Sequence, residues 1–262
     1  MKKNQKQIHI AIISAMKEEI GDSVQNINNL SIKKYGDLEI YSGEFNSKKF
    51  NSVEIYLSIV WSGWGKVSSA RAATRIIAHE YQAKKIDFLL FTGVAGSVDS
   101  NIKQSDILLP EKVMQYDMNA KPLFERFIIP SLNKSEIMVD KKFHKKAFQA
   151  ICDSREKGEL DFFGKISDGL IGTGDQFVSE KSLVKELKKD IPELIAVEME
   201  GAAVAQVAEQ ERIPWLIVRV ISDEADKNAH YTFKEFINLY KDYSWLLIEV
   251  LINSLTKELM KE

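Results

Sequence analysis

The chain has 262 residues, 45% hydrophobic and 28% charged, with a net charge of −2. That is the make-up of an ordinary globular domain, with no electrostatic pull toward nucleic acid or an anionic membrane. The lone Cys152 excludes an intrachain disulfide framework, and His9, His79, His144 and His230 lack metal-ligand spacing, so neither a metal nor another cofactor is expected.

A polar leader, residues 1–7, precedes an apolar run at 8–15 that is too short for a secretion signal and runs into Lys17-Glu18-Glu19. It reads as a first strand, 9–14, and a cytoplasmic location is expected, since no segment approaches the ~18 apolar residues of a membrane span. Residues 18–25 read as a helix whose first turn could hold Glu18 and Glu19 simply because the helix dipole favours anions there. Strands at 38–42 and 53–60 follow. The second leads through Trp61-Ser62-Gly63-Trp64-Gly65-Lys66 into a helix at 67–80, and Trp64 suits a stacking wall and a core position equally. A strand at 88–92 meets Gly93-Val94-Ala95-Gly96, either a tight turn or a backbone that approaches a ligand.

After a strand at 107–110, residues 117–132 are irregular and aromatic, with Phe124, Phe127, Pro122 and Pro130. Such a loop suits a lid or a contact to another subunit. A helix at 141–152 and a strand at 166–171 lead into Gly172-Thr173-Gly174-Asp175-Gln176-Phe177-Val178, where Phe177 could stack on a flat ring or pack in the core. The remaining elements are a helix at 180–188, strands at 194–198 and 215–221, and helices at 201–210 and 233–258. Strands interleaved with helices over 1–262, without a linker, predict a single-domain α/β fold, a three-layer α/β/α sandwich with a central mixed sheet.

Two runs concentrate the chemistry: Ala196-Val197-Glu198-Met199-Glu200-Gly201 and Val218-Arg219-Val220-Ile221-Ser222-Asp223. Each ends a buried strand in acid, which is costly without a partner or a ligand, and strand ends are where open α/β sheets bind ligands. Burial should raise the pKa of Asp223 into the range of a general acid.

Taken in order, Ile12-Ile13-Ser14-Ala15-Met16-Lys17-Glu18-Glu19, Ala196-Val197-Glu198-Met199-Glu200 and Ile221-Ser222-Asp223 resemble the purine nucleoside phosphorylase and uridine phosphorylase superfamily. Within it they look most like the 5′-methylthioadenosine/S-adenosylhomocysteine nucleosidases, over about residues 8–255. The resemblance implies a nucleoside phosphorylase-like fold and hydrolysis of the bond joining adenine to a 5-thioribose, with an adenine nucleoside as small-molecule partner. Asp223 would protonate N7 of adenine, and Glu19 would activate water with Arg219 helping to hold it. Glu200 would accept hydrogen bonds from the ribose hydroxyls while Met199 packs on the sugar. Phe177 would stack on adenine and the Val178 backbone would pair with its edge. Met16 and Phe233 would line an apolar pocket for the 5′-alkylthio group. Glu198 and Ser222 complete the expected substrate-binding set together with Trp64 and Val94, two departures from the family pattern: Val94 stands where many nucleosidases have serine, and Trp64 where a smaller aliphatic is common. Phosphorylases of this fold need cations around phosphate, whereas Glu18 and Glu19 would repel it. The alternatives are a nucleoside phosphorylase, a futalosine-type hydrolase and a nucleoside-binding sensor without turnover. Residues 116–124 match, loosely, the segment that in relatives reaches a neighbouring subunit, which implies a homodimer.

Overall fold

The computed structural model describes residues 5–50 and 52–261. Strands β1 (Lys6–Ser14), β2 (Asn28–Tyr35), β3 (Leu38–Phe45) and β4 (Val53–Trp61) lead into helix α1 (Lys66–Ile77). A small hairpin, β5 (Glu80–Tyr81) and β6 (Lys84–Lys85), precedes β7 (Phe88–Ser97), β8 (Ile107–Leu108), β9 (Lys112–Gln115) and β10 (Glu136–Met138). Then come α2 (Lys141–Glu156), β11 (Ile166–Ser167), β12 (Leu170–Thr173), α3 (Lys181–Asp190), β13 (Leu194–Glu198) and α4 (Gly201–Glu211). The chain closes with β14 (Trp215–Asp223), α5 (Ala229–Tyr240) and α6 (Ser244–Leu259).

The main sheet runs β10-β9-β12-β13-β7-β1-β4-β3-β2, with β14 beside β7 and β8. β1 is parallel to both β4 and β7, and only its first two residues are exposed. β14 is parallel to β7 and buried throughout. Strands covered on both faces read as near-continuous apolar runs, as Ile8–Ile13 and Phe88–Phe91 do. The sheet forks at β7: residues 88–91 pair with β1, Gly96 and Ser97 pair antiparallel with β13, and β14 follows the other side from Leu89 to Gly96. Helices α1 and α4 pack together, as do α2 and α6, and α5 covers β14, which completes the α/β/α layers expected from the sequence.

Several elements differ from expectation. The first strand starts at Lys6, so it takes in the end of the polar leader, whose residues 1–4 lie outside the described residues. The helix expected at 18–25 is two 3-10 turns, Lys17–Glu19 and Ser23–Asn26, separated by Gly21 at φ +57°. Gly21 lies against the carbonyl of Lys241, at the break that divides the single helix expected at 233–258 into α5 and α6. The strand expected at 166–171 is also two, β11 pairing with β8, and β12 with β9 and β13. Gly93–Gly96 is not a turn but the second half of β7.

Candidate active site

The ends of β1, β7, β13 and β14 meet at one cleft. It gathers twelve of the thirteen residues singled out in the sequence: Met16 and Glu19 after β1, Trp64 after β4, Val94 on β7, Phe177 and Val178 after β12, Glu198, Met199 and Glu200 at the end of β13, Ser222 and Asp223 on β14, and Phe233 on α5. The thirteenth, Arg219, lies under the floor with no solvent exposure.

Glu19 is held from two sides. Its Oε2 accepts from the backbone N–H of Ala15 at 2.8 Å and of Met16 at 2.9 Å, and Oε1 accepts from Val94 N–H at 2.9 Å. Winding residues 17–19 as a 3-10 turn is what points this carboxyl back over the end of β1. Burial raises its pKa, against the opposing pull of Arg219 and these three N–H groups. Gly93 is required here, because a Cβ would overlap both Glu19 Oε1 and Arg219 Nη1, and its φ of +151° suits glycine. Glu18, expected beside Glu19, is exposed and does not line the cleft.

A second acidic pair faces it. Glu198 accepts from Arg219 Nη2 and from the Thr173 hydroxyl, and its Oε2 also accepts from the N–H of Glu200 at 3.0 Å and of Gly201 at 2.7 Å. Its carboxylate therefore satisfies the opening turn of α4, an anion where the helix dipole favours one. Glu200 Oε1 accepts from Gly65 N–H at 2.8 Å, and its Oε2 stands 3.7 Å from Arg219. Burial, then the charge of Glu198, pushes the Glu200 pKa up to about 8. Arg219 also stacks on Phe91, its guanidinium carbon 4.0 Å from the ring centroid. Three carboxyl groups, those of Glu19, Glu198 and Glu200, thus surround one cation.

Asp223 is 3% exposed. Its Oδ2 accepts from the Ser222 hydroxyl at 2.7 Å and Oδ1 from Ala225 N–H at 2.9 Å. Burial nonetheless dominates and raises its pKa, the direction expected from the sequence. Over the cleft stands an aromatic rim. Phe233 meets Trp64 edge to face at 6.3 Å between centroids and Phe177 at 6.0 Å, and both partners stay partly exposed.

Sequence reasoning missed two supports. Gly65 supplies the N–H that holds Glu200, and Thr173 links Glu198 to Ala202 N–H at 2.8 Å. The signal for Thr173 was a hydroxyl at a strand end, but it needs the β12–β13 register that sets Thr173 opposite Glu198. Among the described residues no group of three or more His, Cys, Asp or Glu side chains is placed to hold a metal ion, and no helix is long and apolar enough to cross a membrane.

The strand ends of this forked mixed sheet carry a carboxylate-lined cleft, and residues 9–252 match the family model of the phosphorylase superfamily, to which the chain belongs. The 5′-methylthioadenosine/S-adenosylhomocysteine nucleosidase of Buchnera aphidicola subsp. Acyrthosiphon pisum (strain APS) is 36% identical over 247 residues, spanning 94% of this chain and 98% of the relative. The corresponding nucleosidase from Neisseria meningitidis, solved in complex with methylthio-immucillin-A, superposes with a TM-score of 0.82 at 28% identity, over 94% of this chain and 99% of that one. Futalosine hydrolase of Helicobacter pylori gives 0.79 at 26% identity, over 94% of this chain and 97% of that one. Within the superfamily, the chain is one of the 5′-methylthioadenosine/S-adenosylhomocysteine nucleosidase family.

Proposed function

We propose that the protein hydrolyses the N-glycosidic bond of 5′-methylthioadenosine, S-adenosylhomocysteine or both, releasing adenine and a 5-thioribose product. The observation that carries this reading is one cleft with four buried carboxyl groups, of which Glu19 is anchored by three backbone N–H groups. Cleavage develops positive charge on the sugar and negative charge on the base. Asp223, with its raised pKa, is suited to protonate N7 of the departing adenine. Glu19, also raised, is suited to take a proton from the attacking water. Glu200 serves the ribose hydroxyls, and Met199 packs against the sugar. Phe177 and the Val178 backbone take the adenine, while Met16, Phe233 and Trp64 take the 5′ substituent. Arg219 supports the acids from beneath through Glu198 and Glu200.

Hydrolysis is favoured over phosphorolysis because Glu19 presents an anion where a phosphate would have to sit; Glu18 adds nothing, since it faces away. The test is adenine release from methylthioadenosine with and without phosphate. Release that depends on phosphate would sink the hydrolase reading. Asp223→Asn should lower kcat by about 10²–10⁴-fold with little change in KM. An active variant would remove Asp223 from the acid role. The likeness to futalosine hydrolase supports a second reading, so futalosine belongs in the same assay. Its faster turnover would change the substrate and keep the residue roles. Binding without turnover of any purine nucleoside would indicate a sensor.

The working form in this reading is a cytoplasmic homodimer. Support for the dimer comes from two strongly exposed apolar residues, Val67 at 82% and Leu123 at 84%.

A further inference from the structure

Three loops meet above the cleft through one cation. Lys66, the first residue of α1, donates its backbone N–H to Asp175 Oδ1 at 2.8 Å. Its Nζ donates to Asp117 Oδ1 at 2.5 Å and stands 4.0 Å from Asp175 Oδ2. Asp175 N–H donates in turn to Asp117 Oδ2 at 3.1 Å, closing the triangle. The ammonium is mostly covered, with its side chain 19% exposed.

The position of this triangle in the fold gives it a job. Lys66 follows β4, Asp117 follows β9 and Asp175 follows β12. In the sheet β4 is separated from β12 by β1, β7 and β13, the strands whose ends form the cleft. The contact therefore spans the cleft from one flank to the other. Trp64 is two residues before Lys66, and Phe177 is two residues after Asp175, so the contact joins the bases of two of the aromatic walls. Next to it, Gly65 N–H holds Glu200. The same short segment thus ties the sugar-side acid to the ring-side loop.

We infer that Lys66, clasping Asp117 and Asp175, is a positioning residue that fixes the separation of the Trp64 and Phe177 walls and so sets nucleoside affinity without touching the reacting atoms. Its kinetic consequence rests on the nucleosidase reading; the clasp itself does not. Loss of the charge removes the Nζ bond to Asp117 and the pull on Asp175, and leaves only the two backbone N–H bonds to join the loops. The walls are then held more loosely and must be ordered in part by the substrate, a cost that falls on binding. The carboxylates of the chemical step keep their own anchors.

The test compares Lys66→Met, which keeps the stem, with Lys66→Arg, which keeps the charge. In Lys66→Met, KM for methylthioadenosine should rise about tenfold or more while kcat stays within about threefold, and Lys66→Arg should recover most of the loss. Hydrogen exchange on the ligand-free proteins should show faster exchange at both 62–66 and 174–178 in Lys66→Met, with the global unfolding midpoint nearly unchanged, since partly exposed ion pairs contribute little to stability. Unchanged exchange at the 174–178 segment would overturn the clasp. Faster exchange with an unchanged KM, or a fall in kcat alone, would overturn the positioning role. If the wild-type protein does not turn over methylthioadenosine, the nucleosidase reading fails on its own, and the exchange measurement still decides the clasp.

Discussion

Glu200 is held largely protonated near neutrality, with a pKa near 8 caused first by burial and then by Glu198. Its folded pKa lies above the unfolded value of 4.5, so the stability linked to it is fully present below pH 4.5 and is lost as pH rises through 8. At about 1.4 kcal/mol per unit, several kcal/mol are at stake. Glu200→Gln keeps an oxygen for Gly65 N–H and removes the titration. It should therefore be more stable than wild type by about 2–4 kcal/mol at about pH 9, with no gain at about pH 5, while losing catalytic efficiency. Chemical denaturation at the two pH values decides it, and an equal difference at both would rule out the linkage. The position of Glu200 at a strand end was legible because an acid after Ala196-Val197 demands a reason. Its protonation was not, since it depends on Glu198 and Arg219 at distances that only the fold supplies.

Buried polar groups also join whole elements. His9 on β1, Ser58 on β4, Ser42 on β3 and His79 just past α1 form a chain with contacts of 2.7, 2.7 and 2.9 Å. Because His9 Nδ1 can only donate to the Lys84 carbonyl, at 2.9 Å, its Nε2 must accept from Ser58 when the ring is neutral. The direction then passes along the chain: Ser42 donates to Ser58 and His79 Nε2–H donates to Ser42. Burial lowers the His9 pKa to about 4 and lowers that of His79 as well. Folded values below 6.5 mean stability that is present above that pH and lost as pH falls toward 4. Wild-type protein should lose about 3 kcal/mol over that range from His9, and His9→Phe should flatten much of the dependence. A flat wild-type profile would contradict it. No sequence pattern gave this chain, because it crosses four segments. Nor did composition reveal β2, an exposed edge strand carrying Lys33 and Lys34 whose polarity protects the edge and hides the strand. The inner strands were legible for the opposite reason: burial on both faces favours near-continuous apolar runs, interrupted by His9 on β1 and Arg219 on β14.

At the scale of the whole molecule, the exposed Val67 is next to Lys66 at the start of α1, and the exposed Leu123 lies on the loop that begins at Asp117, the partner of Lys66. The proposed homodimer would cover them. Sedimentation equilibrium at about 10 μM should give twice the chain mass, and Leu123→Glu should shift it toward monomer, since a buried unpaired charge costs several kcal/mol. A monomeric wild type at that concentration would remove the homodimer.

The fork at β7 places residues 19, 200 and 223 around one space although more than two hundred positions of chain separate the first from the last. Arg219, which balances the acids, arrives on the same late strand as Asp223. During synthesis, therefore, β1, β4 and β7 can assemble while the cleft still lacks both Arg219 and Asp223. Under the proposed residue roles, catalytic competence comes only when β14 slides in beside β7, and a nascent chain should not act on a nucleoside before its sheet is complete.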